Sequence, residues 1–235
     1  STGRNTPKPM LYLELGCLRI STIIKCRRLN FLFYLISSNK EKTLFRFFNT
    51  QWKYPHQNDW TVTVRQDLKD FFITEDFVFN SKMNKNMFKK MVKSRAYDFE
   101  MRYLTKKKEP LSKMDDLHYK KLKMAKYLEL EDISATEAKN IFQFRSKMAD
   151  FKDNYGGTNY EIICHLCLSH TDTQKASFEC PSIKKHIDIR GNYNDIMNGK
   201  IDKKLAETVT NIINMRKESR IEAQKCTGIP GAANN

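Results

Sequence analysis

The stretch SKMNKNMFKKMVKSRAYDFEMRYLT, residues 81–105, carries two stripes of side chains at helical spacing. At 100° per residue the apolar side chains fall on one arc: Met87, Phe88, Met91, Val92, Phe99 and Tyr103. Lysines recur at steps of three and four on the opposite side: Lys82, Lys85, Lys89 and Lys93. This pattern predicts a long amphipathic helix with one face in a core and a basic face in solvent.

Similar spacing recurs along a chain that has only eight glycines and six prolines. We expect further helices at residues 8–15, 18–37, 40–52, 60–71, 117–129, 134–151 and 201–222. The second of these is apolar almost all round in its later half, which predicts that this half is buried. Ser134 and Glu137 form a capping-box pattern at the start of their helix.

The expected fold class is therefore mainly α, a helical bundle followed by a small Cys-rich, zinc-knuckle-like module and a C-terminal helix. The corresponding boundaries place a basic all-helical domain at residues 1–155 and the Cys-rich module at 156–190. The C-terminal helix follows at 191–224, and residues 225–235 read as a flexible tail.

Positive charge is concentrated in two blocks of the sequence. The chain has 42 Lys+Arg against 27 Asp+Glu, a net charge of +15. Residues 81–126 carry 15 basic against 5 acidic side chains, and residues 1–40 carry 7 against 1. A solvated helix face is the plain reading of such a stripe. These lysines have few acidic partners at i+4, however, and therefore repel one another. Such unneutralised charge favours a polyanionic partner such as RNA or DNA.

The candidate phosphate contacts are the basic residues of these two blocks. In the first they are Lys82, Lys85, Lys89, Lys90, Lys93, Lys106, Lys107, Lys108, Lys120 and Lys121. In the second they are Lys25, Arg27 and Arg28, which could instead extend their charged ends from a buried helix into water.

Membrane insertion is not expected, because the longest apolar candidate, LNFLFYLI at 29–36, is far shorter than the roughly 20 residues of a spanning helix. The chain begins STGRNTPKPM, without a signal-peptide pattern or an initial Met, so we expect a processed or excised piece of a longer protein. Six cysteines without a disulfide framework predict a reducing intracellular location, nuclear or cytoplasmic.

A candidate metal site lies in CHLCLSHTDTQKASFEC, residues 164–180. The C-x2-C spacing lets Cys164 and Cys167 face one ion, and Cys180 is a third thiolate ligand. A closed tetrahedral zinc site needs a fourth ligand. His170 gives C-x2-C-x2-H-x9-C, and His165 and His186 are also within reach of the chain. The alternative is three reduced thiols in a small satellite core.

Catalytic motifs are lacking, since the sequence contains no GxxxxGK[ST], GxSxG or HExxH pattern and no paired-aspartate motif of polymerase type. Asp115 and Asp116 in MDDL lie in a lysine-rich stretch and are interpreted as a turn or helix cap. We therefore expect no enzyme activity from this chain alone.

Several strings resemble one family. They are TPKPMLYLELGCLRISTIIKCRRLNFLFYLI at 6–36, the DW pair at 59–60 ahead of a helix, and the cysteine stretch at 164–180. Together they resemble the region downstream of the reverse transcriptase domain in non-LTR (LINE-type) retrotransposon polyproteins, over roughly residues 6–222. In that comparison Cys164, Cys167 and Cys180 take three zinc-knuckle ligand positions. Asp172, Thr173 and Gln174 take the Asp-Thr-Gln that precedes the family's ligand histidine.

Two departures from the family pattern stand out. Ala176 occupies the position of the ligand histidine, and Arg19 stands where the family usually has Pro. The knuckle is then either degenerate or completed by His170. The resemblance implies a helical, thumb-like extension that holds template RNA or target DNA. The polymerase itself would lie upstream in the same polyprotein.

Two other functions remain open at this stage. An interaction scaffold would use the helices to bind an acidic protein, with a purely structural cysteine cluster. A helical nuclease would use Asp115 and Asp116, which the missing metal-binding motif disfavours.

Overall fold

The computed structural model describes residues 7–80, 82–108, 117, 119–155 and 163–227. Its α-helices are α1 Lys8–Leu15, α2 Ile20–Ile36, α3 Thr43–Lys53, α4 Trp60–Asp70, α5 Glu75–Asn80, α6 Lys85–Lys108, α7 Ala135–Arg145, α8 Gln174–Ser177, α9 Pro181–His186, α10 Tyr193–Met197 and α11 Lys203–Thr227. Short 3-10 helices occur at Lys126–Leu128 and Lys152–Tyr155. Within the described ranges, β structure is limited to one antiparallel bridge between Ile163 and Thr171. The expected mainly α fold is confirmed.

The chain divides into two compact units. One runs from Gly16 to Lys107 and is called here the lysine-helix unit. The other, the cysteine unit, combines Ser1–Leu15 with Lys108–Asn235. The lysine-helix unit has 19 basic and 8 acidic side chains, a net charge of +11, which leaves +4 for the cysteine unit.

These units differ from the boundaries drawn on the sequence at 155, 190 and 224. Within the cysteine unit, Cys164 and Cys180 belong to the same buried cluster as Ile141 and Phe144 of α7 and Val209 of α11. The residues predicted as a tail begin inside α11, which continues to Thr227, and 228–235 lie outside the described residues.

The core of the lysine-helix unit forms between α2, α3, α4 and α6. Phe33 of α2 stacks on Phe88 of α6 with ring centroids 4.4 Å apart. The buried side chains of α6 recur every four residues: Phe88, Val92, Ala96, Glu100 and Leu104. Glu100 is fully buried and accepts hydrogen bonds from Arg19 and Thr22, so its charge is paired inside the unit.

The long helix begins at Lys85, later than the predicted residue 81. Asn84 explains this start, because its side-chain oxygen accepts the backbone N–H of Met87 at 3.0 Å, as an N-cap does. Residues 75–80 form the separate helix α5, which the sequence patterns did not predict. Of the predicted apolar arc, Phe88 and Val92 are buried, while Met87 and Tyr103 are exposed.

The prediction that the later half of α2 is buried on all sides is wrong. Phe31 and Tyr34 remain 45% and 49% exposed, while Leu29, Leu32 and Phe33 are buried. The helix is covered by its neighbours on one side only.

The cysteine unit is organised by α7 and α11, which pack against each other and bury Ile141, Phe144, Val209 and Ile212. The capping box at Ser134 and Glu137 is present. The helix that it starts ends at Arg145, six residues earlier than expected, where Lys147 takes a left-handed conformation with φ 51°.

The predicted helix at 117–129 is not formed by the part of it that the structure describes. Residues 119–125 have no helical turn, and only Lys126–Leu128 makes a 3-10 helix. Long-range contacts replace the local ones: the N–H of Ala125 donates to the carbonyl of Glu14 in α1 at 2.8 Å, and the Tyr119 hydroxyl donates to the Glu14 carboxylate. In the described parts of the chain, no helix combines the length and apolarity needed to cross a bilayer.

Candidate nucleic-acid interface and metal centre

The first turns of α6 present a row of lysines to solvent. Lys85, Lys89, Lys90 and Lys93 are all exposed. Among the ion pairs of the described residues, none involves these four side chains, nor Lys82 just before the helix or Lys106 near its end. The Lys107 ammonium lies 5.9 Å from the ring centre of Tyr103. We call Lys85, Lys89, Lys90 and Lys93 the lysine row.

The basic residues of α2 have a different environment. Asp67 accepts hydrogen bonds from Lys25 at 3.0 Å and from the Arg28 guanidinium at 2.6 and 3.0 Å. Lys25 also donates to Asp70 at 2.6 Å. Burial lowers the pKa of Lys25, but its hydrogen bonds to Asp70 and Asp67 outweigh burial, so the pKa is raised. Both cations are therefore engaged with internal carboxylates, whereas Arg27 is exposed.

The remaining predicted phosphate contacts belong to the cysteine unit. The Lys108 ammonium donates to the backbone carbonyl of Leu117. Lys120 and Lys121 are exposed and line a cavity together with Lys123 and Lys126. These residues are therefore not part of the α6 row, although they belong to the same basic block of the sequence.

Two arginines of α6 join the exposed basic surface and were not singled out from the sequence. Arg95 and Arg102 line a cavity of about 310 Å³ together with Phe72. The Arg102 guanidinium stacks over the Phe72 ring, 4.1 Å from its centre. Phe72 is 63% exposed in a left-handed conformation, φ 52°. The seven-residue spacing of Arg95 and Arg102 could have indicated from the sequence that they share one face of the helix. The left-handed backbone conformation of Phe72 has no such signal in the sequence.

The three cysteines of the predicted knuckle come together. Their sulfur atoms lie within 4.8 Å of one another, and they form the metal-capable group found among the described residues. Cys164 and Cys180 are buried and Cys167 is half-buried. The loop that carries the first two is closed by the Ile163–Thr171 bridge and by the Cys164 N–H donating to the His170 carbonyl at 2.7 Å. Leu168 makes the turn with φ 55°.

This donor set fits zinc in chemistry and in spacing. Thiolates are preferred zinc ligands, and a Zn–S length of about 2.3 Å separates tetrahedral sulfurs by about 3.8 Å. His170 is not one of the three clustered residues, but its Nδ1 lies 3.8 Å from the Cys167 sulfur, with Ser169 Oγ 3.0 Å from the same nitrogen. Among the described residues, three of the four predicted ligands thus lie together, and the fourth, His170, lies next to Cys167.

The other two histidines within reach are placed less favourably. Both ring nitrogens of His165 are buried, with no hydrogen-bond partner among the residues that the structure describes. Burial and the nearby Arg216 charge lower the pKa of His165. His186 is exposed at the end of α9.

The thiols differ in acidity. Burial raises the pKa of Cys167, but hydrogen bonds from Ser169 and His170 outweigh burial and lower it to about 6. Burial raises the pKa of Cys180 to about 11, and the neighbouring Cys167 and Cys164 add to this rise. Of these two thiols, Cys167 is therefore the better prepared to bind a cation as thiolate.

The three residues after this loop hold it against the core. Asp172 is buried and pairs with Arg216 of α11 at 2.7 Å, while its other oxygen accepts the Lys152 N–H at 3.1 Å. Thr173 caps α8 by accepting the Ala176 N–H at 3.0 Å. Gln174 donates to the Phe144 carbonyl at 2.7 Å. The Asp-Thr-Gln string therefore has a structural role that requires no metal.

Asp115 and Asp116, interpreted above as a turn or helix cap, lie outside the described residues. Comparisons of the chain with protein-family models, with curated proteins and with solved structures find no match.

Proposed function

We propose that this chain is a non-catalytic nucleic-acid-binding region of a retrotransposon reverse transcriptase polyprotein, which holds template RNA or target DNA against the lysine row. The observation that carries the proposal is the contrast in pairing within one unit: Lys25 and Arg28 have internal carboxylates, and the lysine row has none among the described residues. Unpaired cations on a rigid helix match the negative charge of a sugar–phosphate strand.

The retroelement assignment is supported by the resemblance of residues 6–36 and 164–180. On this proposal the polymerase domain lies upstream, and the chain works inside the cell, in the nucleus or cytoplasm. Five of the cysteines are free thiols, in keeping with such a compartment: Cys17, Cys26, Cys164, Cys167 and Cys180.

The decisive experiment replaces the lysine row by glutamine: Lys85→Gln, Lys89→Gln, Lys90→Gln and Lys93→Gln together. Binding of an RNA or DNA duplex of arbitrary sequence is followed between about 50 and 200 mM salt. Because each phosphate contact contributes about 0.9 to the slope of log K against log salt, the variant should lose about 3 to 4 from that slope.

The matched control removes the same charge from the same unit: Lys40→Gln, Lys42→Gln, Lys53→Gln and Lys69→Gln. These four lysines are exposed and lie outside α6. Equal loss of binding in both variants would show only a general effect of net charge. A wild-type chain that ignores duplexes at the lowest salt would end the proposal.

Zinc is the cofactor that we assign to the cysteine cluster, with Cys164, Cys167, Cys180 and His170 as its ligands. Its role is to hold the 163–171 loop on the core of the cysteine unit. The purified chain should contain one zinc ion per molecule. Cys180→Ser should abolish it and lower the melting temperature, whereas Cys17→Ser, at a free cysteine of the other unit, should change neither.

The fourth ligand is tested separately. His170→Ala should weaken zinc binding, and His186→Ala, at an exposed histidine of the same unit, should not. Equal zinc affinity in the two histidine variants would remove His170 from the ligand set. Zinc-free wild-type protein that melts unchanged after chelation would remove the metal altogether.

An interaction scaffold is the second candidate, and one observation favours it. Ile20, Ile24 and Phe31 project from α2 with exposed fractions of 75%, 44% and 45%. Apolar side chains in such a row are common at protein–protein contacts. A scaffold would bind no generic duplex, so the salt titration separates the two functions.

A further inference from the structure

The cysteine unit contains a cavity of about 550 Å³ that the nucleic-acid proposal does not use. Its walls are the segment 119–126, the turn 197–202 between α10 and α11, and Arg145 at the end of α7. A volume of this size is in the range of sites for small organic ligands and greatly exceeds that of a phosphate ion.

Lysines dominate the charge of this cavity: Lys120, Lys121, Lys123, Lys126 and Lys200. All five are exposed. Within the described residues, the one ion pair that any of them makes is Lys123 with Glu129 at 4.0 Å, where both side chains are largely exposed and the pair is weak. Asp202 is the acidic residue in the lining, and its Oδ1 already accepts the Leu205 N–H at 2.8 Å.

The back wall is fixed by the buried ion pair of Arg145 and Glu14. The Arg145 Nε donates to the Glu14 carboxylate at 2.9 Å, and its Nη1 donates to the carbonyls of Ile196 and Met197. Glu14 also accepts the Tyr119 hydroxyl, so both sides of the cavity are tied to one carboxylate. The cavity is therefore largely formed before any ligand enters.

Gly199 shapes the turn at the rim. Its φ of +72° is a left-handed conformation that L side chains rarely adopt, and an added Cβ would lie 3.9 Å from Arg145 Nη1. The turn thus brings the backbone close to the arginine.

Apart from Asn198, the remaining side chains of the lining are largely apolar and would suit a flat ring better than an inorganic ion. Met124, Ala125, Met197 and Ile201 contribute aliphatic and thioether surface beside the Tyr119 ring. Methionines adapt to rings of different shape. A ligand that satisfies both parts of the cavity has a phosphate for the lysines and a base or similar ring for the apolar wall.

We propose that this cavity binds a nucleoside phosphate, with the phosphate among Lys120, Lys126 and Lys200 and the base against Met124 and Ile201. The inference goes beyond the duplex-binding function, because it requires no residue of the lysine row. The ligand has two possible sources with the same chemistry, a free nucleotide or the phosphorylated end of a strand.

The test uses calorimetric titration of the full chain with adenosine 5′-monophosphate, adenosine and inorganic phosphate. The monophosphate should bind with one site, adenosine should not bind, and phosphate should compete only weakly. Lys120→Gln, Lys126→Gln and Lys200→Gln together should weaken binding about tenfold or more. The control triple Lys139→Gln, Lys184→Gln and Lys217→Gln, at exposed lysines of the same unit outside the cavity, should bind as the wild type does.

A second variant places a carboxylate in the apolar part, Met124→Glu, where 41% exposure makes the change compatible with folding. It too should bind the monophosphate more weakly. No binding of the monophosphate or of a 5′-phosphorylated oligonucleotide overturns the proposal, and so does binding unaffected by the cavity variants.

The two sources are separated with single-stranded oligonucleotides that carry or lack a 5′-phosphate. A strand end as the source predicts that the 5′-phosphate strengthens binding in the wild type but not in the cavity triple. A free nucleotide predicts tight monophosphate binding that the oligonucleotides do not displace. The glutamine variant of the lysine row should retain monophosphate binding, so failure of the duplex function and failure of this site give different results.

Discussion

Two sets of basic residues in the lysine-helix unit looked alike in the sequence and differ in the structure. Lys25 and Arg28 of α2 are held by Asp67 and Asp70 of α4, which lie about 40 residues further along the chain. The lysine row of α6 has no such carboxylates among the described residues. A basic run thus indicates a binding surface only after its long-range acidic partners are known, because a paired cation contributes to stability and an unpaired one remains available to a ligand.

The largest expected effect is the loss of stability when Lys25 and Arg28 lose their acidic partner. Asp67→Asn leaves Lys25 and Arg28 without their shared carboxylate, in a site where Asp67 itself is 1% exposed. We expect the free energy of unfolding to fall by about 2–3 kcal/mol, below the value for a fully buried pair because both cations are partly exposed.

Urea denaturation of the Asp67→Asn variant measures this loss. Asp98→Asn is the matched control, because Asp98 is exposed on α6. Its replacement should change stability by less than about 0.5 kcal/mol. Equal stability of the two variants would mean that the α2 cations do not depend on Asp67, and the comparison would fail.

An intermediate loss of stability is expected when the ion pair between Glu137 and Lys203 of the cysteine unit is broken. The pH dependence of this loss tests whether the two residues are paired. Hydrogen bonds from Lys203 and Ser134 lower the pKa of Glu137 to about 2. The folded-state pKa lies below the unfolded value of about 4.3, so the stabilisation is complete above that value and is lost as pH falls towards 2.

Glu137→Gln should therefore destabilise the chain by about 1–2 kcal/mol at pH 6, and the difference from wild type should shrink as pH falls from about 4 to 2. Denaturant titrations at several pH values follow this difference. Glu129→Gln, at an exposed residue whose contact with Lys123 is 4.0 Å long, is the control and should show little dependence. A constant difference across the pH range would contradict the pairing of Glu137 with Lys203.

The smallest effect is expected from a substitution that gives one lysine of the lysine row an acidic partner. Asn86→Glu places a carboxylate one turn before Lys90 and in the first turn of α6, where negative charge is favourable. We expect a stability gain of about 0.5 kcal/mol together with weaker duplex binding and a smaller salt slope. Asn86→Gln should change neither quantity. Unchanged duplex binding by the glutamate variant would separate the lysine row from the nucleic-acid interface.

Local signals found most of the secondary structure. The periodicity at 8–15, the capping box at Ser134 and Glu137, and the apolar stripe of α11 gave helices near their observed positions. The failures were at places where distant residues intervene. Residues 119–125 look helical by composition, yet Ala125 bonds to Glu14 and Tyr119 donates to the same residue. The short helix α5 was missed because six residues give too little periodicity.

The candidate sites divide in the same way. The C-x2-C spacing was enough to bring Cys164 and Cys167 together, and Cys180 joined them as predicted. The cavity of Lys120, Lys126 and Lys200 was not visible, because Lys200 lies about 75 residues from the other two and no periodic pattern connects them.

The sequence by itself determined most of the helical segments, where charge is dense and which three thiols meet, since each depends on residues within a few turns or one short loop. Only the tertiary structure decided which cations remain unpaired and which form a cavity. Asp67 and Asp70 reach Lys25 and Arg28, and Arg145 reaches Glu14, only after separate helices pack. Long-range pairing of this kind follows the packing of apolar faces, which local periodicity does not specify.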